Sequence, residues 1–236
     1  QHCTMLDMAM LHTTAGFYLE ADEIFAQIDT ASLTLDQKVY WYDARQKFLH
    51  DYQEYVTTSS IEVPDASQIT RYQDRILEIT SDDIPLNRHI RILRIIESRD
   101  FEKAYEENMA FIASLDKTSR DYAVQTYWQG YICENLDRTE ELIKWWTESA
   151  LCDIQGAIKD NASLCSIAIK LTDPQDTDRA FKYISISLDD ALFYNAKLRK
   201  VQIASTLPWI LKTYTDSKDI QNKDRTRYLI LTAGIA

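Results

Sequence analysis

The fold is decided by RDFEKAYEENMAFI at residues 99–112, because two comparable stretches follow it at regular distances along the chain. These are DRTEELIKWWTESA at residues 137–150 and DTDRAFKYISISL at residues 176–188. Each begins with a turn or capping residue and continues as an amphipathic helix, so that Ala104, Leu142 and Ala180 fall at matching positions 38 residues apart. A constant period of this length is typical of an α-helical solenoid, in which each helical hairpin buries one face against the next.

Each of these helices is preceded by another predicted helix, at residues 86–97, 120–134 and 160–171. Gly130 lies inside the second of them, where glycine costs about 1 kcal/mol relative to alanine. A glycine at such a position usually has a packing reason. We therefore expect two helices to cross closely at Gly130.

The N-terminal part of the chain carries similar helical signals. The apolar residues of ADEIFAQI at 21–28 fall on one helical face, and the helix before it ends near Gly16. A long helix runs from a capping box at Thr34 and Gln37 to about residue 55. The stretch TTSSIEVPDAS at 57–67 predicts a loop, and QITRYQDRILEI at 68–79 predicts a further helix. The sequence as a whole predicts an all-α fold, an α-α superhelix of helical hairpins.

The composition is that of a folded, water-soluble and helix-rich protein. The 236 residues include only four Gly and four Pro, so tight turns and glycine-rich loops are few. The net charge of −11 argues against nucleic-acid binding, which needs a basic surface. Positive charge is concentrated in residues 197–227, which hold eight Lys or Arg and three Asp. This basic segment lies directly before an uncharged tail.

The sequence offers no constellation for catalysis. It lacks the phosphate-binding, metalloprotease and serine-hydrolase motifs, and its four histidines lie on separate predicted helices. Paired acids such as Glu106 and Glu107 fit solvated helix faces. We expect no enzyme activity, no cofactor and no metal site.

The four cysteines form no CxxC pair and have no companion histidine at zinc spacing. We interpret them as small buried hydrophobic residues. A disulfide between Cys152 and Cys165 in an oxidising compartment stays open as an alternative.

The helical hairpins resemble the tetratricopeptide repeat (TPR). That family has a small residue in its first helix and another twelve residues later in its second helix. Ala168 with Ala180 matches this pattern, Gly130 with Leu142 matches its first position, and Ile92 with Ala104 matches its second. The period of 38 exceeds the usual repeat of about 34 residues, so helices or turns must be extended.

A more specific resemblance is carried by DRAFKYISISLDDALFYNAKLRKVQIASTLPWI at residues 178–210, supported by GFYLEADEIFAQID at 16–29 and KWWTESALCDIQGAIKDNASL at 144–164. These stretches resemble a family of Bacteroidetes membrane regulators. In that family a TPR-like region outside the inner membrane precedes one transmembrane helix, a coiled coil and a helix-turn-helix domain. The sequence departs from the family at Trp145 and Trp146, which puts a shared ligand preference in doubt.

The resemblance implies a TPR-like domain at residues 1–222 and, at 223–236, a juxtamembrane segment with the start of a transmembrane helix. The uncharged tail at 228–236 is shorter than the roughly 20 apolar residues that cross a bilayer. The implied role is the periplasmic sensor or interaction domain of a membrane-anchored transcriptional regulator. The alternative is a soluble, cytoplasmic TPR scaffold that binds peptide segments of partner proteins without signalling.

Aromatic side chains supply the candidate binding surface. The first helices of TPR hairpins line a concave groove, and the register places His89, Tyr127, Tyr131 and Glu134 on it. The implied partner is a protein, a peptide or a glycan-derived ligand, with a homodimer as a further option. The alternative is that these rings only fill the hairpin interfaces, as we expect for the four aromatic residues Trp41, Tyr42, Trp145 and Trp146.

A basic stripe, YNAKLRK at 194–200, follows the third repeat. We read it as helical, with Asn195 and Arg199 as candidates for relaying motion towards the membrane. The alternative is a solvated helix face stabilised by neighbouring acids.

Overall fold

A computed structural model describes residues 2–56, 67–158, 162–171 and 173–233. In these ranges the chain forms eleven α-helices and two short 3-10 turns, without a β-strand. The helices are α1 (His2–Ala15), α2 (Tyr18–Ala26), α3 (Leu35–Val56), α4 (Ser67–Ile79), α5 (Pro85–Glu97), α6 (Phe101–Ile112), α7 (Arg120–Asn135), α8 (Thr139–Gln155), α9 (Ala162–Lys170), α10 (Thr177–Phe193) and α11 (Lys197–Ala233). Neighbouring helices pack as pairs, which confirms the predicted all-α solenoid. Most of the loop predicted at 57–67 lies outside the described residues.

The predicted repeat is present in the helix boundaries. Helices α6, α8 and α10 begin at Phe101, Thr139 and Thr177, a spacing of 38 residues in both steps. The three matching positions in these helices (Ala104, Leu142 and Ala180) are all buried. The period therefore marks where each hairpin turns its apolar face towards its neighbour.

Gly130 lies at the crossing of α7 and α8, as its position predicted. A Cβ atom there would be 2.3 Å from Cδ1 of Trp146, closer than any atom can approach. The Trp146 side chain is 3% exposed, and its indole Nε1 donates a hydrogen bond of 3.1 Å to the carbonyl oxygen of Tyr127. The missing side chain at Gly130 thus makes room for the indole ring of Trp146 in the core.

Local signals explain several helix ends. Thr34 and Gln37 form the predicted capping box, since each backbone N–H bonds to the other residue's side chain, at 3.0 and 3.3 Å. The turn after α1 is made by Gly16 at φ +79°, a conformation that suits glycine. These caps fix the entry and exit of the N-terminal helices.

The core consists of consecutive apolar clusters along the array. Trp145 and Trp146 are buried as predicted, and Trp41 packs partly buried against the N-terminal cluster. Three cysteines are buried free thiols, but Cys3 is exposed, which corrects the prediction that all four are core residues. Cys3 belongs to the first turn of α1, where its sulfur accepts a hydrogen bond of 3.4 Å from Gln37 of α3.

Helix α11 spans 37 residues and runs back along α10. Tyr214 stacks on Phe181 at a ring-centroid distance of 4.3 Å, and Lys218 forms a salt bridge of 2.8 Å with Asp178 in the first turn of α10. Beyond this pair, residues 219–228 are exposed. Among the described helices, none combines the length and apolar character that a membrane crossing requires.

The basic stripe at 194–200 is not one helical surface, which corrects our interpretation. Helix α10 ends at Phe193, and Asn195 lies in the connecting turn with φ +53°. Only the part from Lys197 onward belongs to α11. The left-handed conformation of Asn195 reverses the chain direction, so its side chain and that of Arg199 belong to different surfaces.

The two ends of the array meet. The first turns of α11 contact α3, where Glu54 and Gln202 are 148 residues apart, and the turn between α1 and α2, where Gly16 lies against Lys197. The concave side of the solenoid therefore has α3 at one end and the first turns of α11 at the other, and these two ends are in contact.

Candidate ligand groove

The concave side of the solenoid encloses a cavity of about 1240 Å³, which we call the inner groove. Its walls come from α3 and α4 on one side, α5 and α7 at the floor, and the start of α11 on the other side. Pockets for small molecules usually hold roughly 300–1,000 Å³. The inner groove is large enough for an extended ligand, such as a peptide segment or an oligosaccharide.

One face of α7 forms the floor. Val124, Trp128, Tyr131 and Asn135 follow each other at intervals of three or four residues and all line the groove. The Trp128 ring lies at centroid distances of 6.4 Å from His89, 5.8 Å from Tyr127 and 5.6 Å from Tyr131. These four rings (His89, Tyr127, Trp128 and Tyr131) are called the aromatic cluster below. They give a ligand a broad, rigid contact surface with polar edges.

His89 is held in place by a buried amide. Its Nδ1 lies 2.8 Å from Nε2 of Gln125, which is 2% exposed. Burial lowers the pKa of His89, against the hydrogen bond to Gln125 and the charges of Asp43 and Asp121, which raise it. The net downward shift of the pKa favours the neutral imidazole at pH 7, hydrogen-bonded through Nδ1 to the Gln125 side chain.

A network of amides behind the floor ties α7 to α6. Asn108 donates to the backbone oxygen of Gln125 at 3.0 Å and to Oε1 of Gln129 at 2.8 Å. All three side chains are buried. The two hydrogen bonds from Asn108 therefore tie α6 to the side of α7 that lies behind the groove floor.

The α3 wall is charged. Asp43, Lys47, Asp51 and Glu54 line the groove from successive turns of the helix, and Lys47 pairs with Asp51 at 2.6 Å. Burial acts to raise the pKa of Asp51, but the Lys47 ammonium and a hydrogen bond from His50 outweigh it and hold that pKa below its ordinary value. Asp51 is therefore ionised at neutral pH. This wall offers carboxylate acceptors to hydroxyl or amide groups of a ligand.

The α11 wall carries Arg199 and Gln202, which are joined by a hydrogen bond of 2.5 Å. Tyr127 lies between this wall and α3. Burial raises the pKa of Tyr127, the charge of Arg199 lowers it and the charge of Glu54 raises it, with a net upward shift. The phenol keeps its proton and can act as a hydrogen-bond donor within the groove.

The structure brings together four of the six candidate residues. His89, Tyr127, Tyr131 and Arg199 line the inner groove. Glu134 lies outside the described lining and forms a salt bridge of 2.5 Å with Lys170 of α9. Asn195 also lies outside it and accepts a hydrogen bond of 2.5 Å from Lys200. Ligand binding by the four residues that line the groove remains a prediction.

Sequence reasoning missed Trp128, although it continues the α7 periodicity between Val124 and Tyr131. It also missed Glu54 and Gln202, which no local pattern could connect because 148 residues separate them. Among the described residues, no group of His, Cys, Asp and Glu is arranged to hold a metal ion.

Comparison with known families gives one match. A family model described as the SusR N-terminal TPR domain matches residues 1–205, from α1 into the first turns of α11. Comparisons with curated proteins and with solved structures gave no significant match. The matched range contains every residue that lines the inner groove.

Proposed function

The chain belongs to the family of SusR N-terminal TPR domains, and from this premise we propose that it is the extracytoplasmic sensor or interaction domain of a membrane-anchored transcriptional regulator. TPR domains generally act by binding partners, and the family is generally non-catalytic. The ligand or partner segment binds in the inner groove. The signal leaves the domain through α11.

One observation carries this proposal: the inner groove is lined by both the first and the last part of the array. A ligand there touches α3, the aromatic cluster on α5 and α7, and Arg199 of α11 together. Helix α11 continues beyond the repeats, where residues 219–228 are exposed. Pro208 removes one backbone hydrogen bond inside α11, but the helix is continuous from Lys197 to Ala233, so a shift of its first turns is passed on to its distal part.

The lining describes the chemistry of the ligand. Aromatic faces suit the apolar sides of sugar rings or peptide side chains, and the carboxylates and amides suit hydroxyl or peptide N–H groups. Positive and negative side chains both occur, so a ligand of strong single-sign charge is disfavoured. We therefore propose a neutral or weakly charged ligand, a glycan-derived oligosaccharide or a peptide segment.

Membrane attachment is part of the same proposal. Its support is the resemblance to membrane regulators and the position of Lys223, Arg225 and Arg227, which are exposed on the distal part of α11. Ile230 is 67% exposed, although a C-terminal cap would bury its apolar residues. The gene downstream of codon 236 is expected to encode about ten further apolar residues, a basic flank, a coiled coil and a helix-turn-helix. A stop codon soon after codon 236 would instead leave the soluble scaffold.

The groove itself is tested with Trp128→Ala. Thermal shifts are measured for this variant and the wild type against a panel of short peptides and soluble oligosaccharides. A compound that stabilises the wild type should bind the variant at least about 30-fold more weakly, since central aromatic residues contribute about 2 kcal/mol or more to binding. Trp209→Ala is the matched control, because Trp209 is 46% exposed on α11 and lies outside the groove lining. Equal binding by wild type and Trp128→Ala would refute the groove as the site.

A further inference from the structure

Among the described residues, polar groups of α3 and α11 and an aromatic ring in the turn after α1 take part in the contact that closes the array. Nε2 of Gln202 on α11 donates a hydrogen bond to Oε1 of Glu54 on α3. The Lys197 ammonium lies 3.8 Å from the centroid of the Phe17 ring, in cation–π geometry. Both interactions join the start of α11 to the N-terminal helices.

Gly16 brings the two backbones together at this contact. A Cβ atom at Gly16 would lie 2.7 Å from Cβ of Lys197 and 3.5 Å from the backbone nitrogen of Leu198. The turn after α1 can therefore touch the first turn of α11 because this residue has no side chain. We call the five residues Gly16, Phe17, Glu54, Lys197 and Gln202 the clasp.

The clasp has no apolar core. In the described structure, one buried cluster joins α1, α2 and α3, and another joins α9, α10 and α11, but no cluster includes residues from both ends. Separating the ends therefore exposes mainly groups that water can solvate. Exposed polar pairs contribute little net free energy, so opening the clasp costs far less than separating any hairpin.

The clasp also controls the size of the groove. Glu54 and Gln202 line the inner groove from opposite walls, and Tyr127 of α7 responds to the charges of both Glu54 and Arg199. A ligand that touches both walls makes all its contacts only while the ends are together. It then binds the closed state more tightly than the open state, which is the requirement for shifting a conformational equilibrium.

We propose that the clasp opens and closes the inner groove. Ligand binding in the groove and the position of α11 then both depend on one equilibrium between an open and a closed clasp. The coupling to a ligand rests on the proposed function. The opening itself does not, because it is a property of the ligand-free protein.

The test measures the distance between α1 and α11 without ligand. One nitroxide is placed on Cys3, the exposed cysteine, and the other on Ser205→Cys, an exposed position of α11. Electron–electron double resonance then gives the distance distribution. Gln202→Glu replaces the donor to Glu54 by a like charge, whereas the double variant Glu54→Gln/Gln202→Glu restores the hydrogen bond with donor and acceptor exchanged.

We expect Gln202→Glu to move the distribution to longer distances, with a change of about tenfold in the ratio of open to closed molecules. The double variant should return it to the wild-type distribution. Lys197→Ala, which removes the cation–π contact, should shift it in the same direction by a smaller amount. Circular dichroism establishes that each variant is folded.

An unchanged distribution in folded Gln202→Glu and Lys197→Ala would overturn the clasp. A shift in Gln202→Glu that the double variant fails to reverse would do the same, because the hydrogen bond would then not be its cause. If Gln202→Glu does not fold, Lys197→Ala decides alone. None of these results depends on binding by Trp128→Ala, so the clasp and the groove can fail separately.

Discussion

The crossing of α7 and α8 and the clasp join helices by opposite means. At the crossing, Gly130 admits the Trp146 ring, and the contact is dry and closely packed. At the clasp, Gly16 also admits a neighbouring backbone, but the contacts around it are a hydrogen bond and a cation–π pair. The same device, a missing side chain, thus serves a permanent interface in one place and a breakable one in the other.

The difference assigns separate mechanical roles to the two regions. Trp146 stacks on Tyr127 at 6.4 Å, so the aromatic cluster is fixed on the rigid part of the array. Among the described residues, the α3 and α11 walls meet at the clasp. We infer that the floor of the inner groove is constant while its walls can separate, which is the arrangement that a sensor with a preformed recognition surface requires.

The largest effect is expected from Trp146→Ala, because it empties the dry interface. Trp146 is 3% exposed, and truncation of a buried tryptophan typically costs about 3–5 kcal/mol in the free energy of unfolding. The measurement is chemical denaturation at equilibrium. Trp209→Ala serves as the control and should change stability by less than about 0.5 kcal/mol, since Trp209 is 46% exposed. Similar losses in the two variants would remove the distinction between core and surface on which the comparison stands.

The repeats could be predicted because their signal is local. Ala104, Leu142 and Ala180 recur at a constant interval, and each hairpin packs on its sequence neighbour, so spacing alone located the interfaces. The capping box at Thr34 and the close crossing at Gly130 also depend on residues within one hairpin. In a solenoid each repeat contacts mainly its sequence neighbours, so the packing of the repeats can be predicted from local sequence patterns.

The clasp could not be predicted for the same reason. Glu54 and Gln202 meet because the rotations between all the intervening repeats together bring the two ends of the array into contact. A short stretch of sequence does not contain this information. The interpretation of 194–200 as one helical stripe failed at Asn195, whose positive φ is set by the turn that brings α11 back along α10. Contacts that depend on the curvature of the whole array thus cannot be predicted from local sequence, even where the fold can.

A second test adds volume to the dry interface instead of removing it. Gly130→Ala places a Cβ within 2.3 Å of the Trp146 ring, and overpacking of this kind costs about 1–3 kcal/mol. The better helix propensity of alanine returns about 1 kcal/mol, so we expect a net loss of up to about 2 kcal/mol. Equilibrium unfolding measures it.

A second substitution, which replaces Trp146 by a smaller residue, should remove the cost of Gly130→Ala. In a Trp146→Leu background the ring that blocks the Cβ is absent, and Gly130→Ala should then become neutral or stabilising by up to about 1 kcal/mol. The same loss in both backgrounds would show that Gly130 serves the backbone conformation of α7 and not its crossing with α8.

The smallest expected effect is a change in how the free energy of unfolding depends on pH. It concerns His89 in the groove and not the dry interface. Burial lowers the pKa of His89 below 6.5, so the unfolded chain takes up a proton before the folded protein does as pH falls. The stabilising contribution of neutral His89 is complete above about pH 6.5 and is lost as pH falls through the lowered pKa of the folded state. His89→Gln should therefore flatten the decline of unfolding free energy between about pH 7 and about pH 5.

His50 on the α3 wall supplies the matched control with the opposite sign. Its hydrogen bond to Asp51 raises the pKa of His50, so its contribution is complete below about pH 6.5 and is lost as pH rises through the raised value. His50→Gln should therefore remove a small gain in unfolding free energy that develops as pH falls towards about 6.5, and leave the slope below about pH 6.5 nearly unchanged. The effect is small because the His50 side chain is 58% exposed. A flattening of the decline by both substitutions, or an unchanged decline in His89→Gln, would contradict the burial of a neutral imidazole in the floor of the groove. Both histidines line the inner groove, and the atoms that surround Gly130 belong to Trp146, so this test is separate from the two tests of the dry interface.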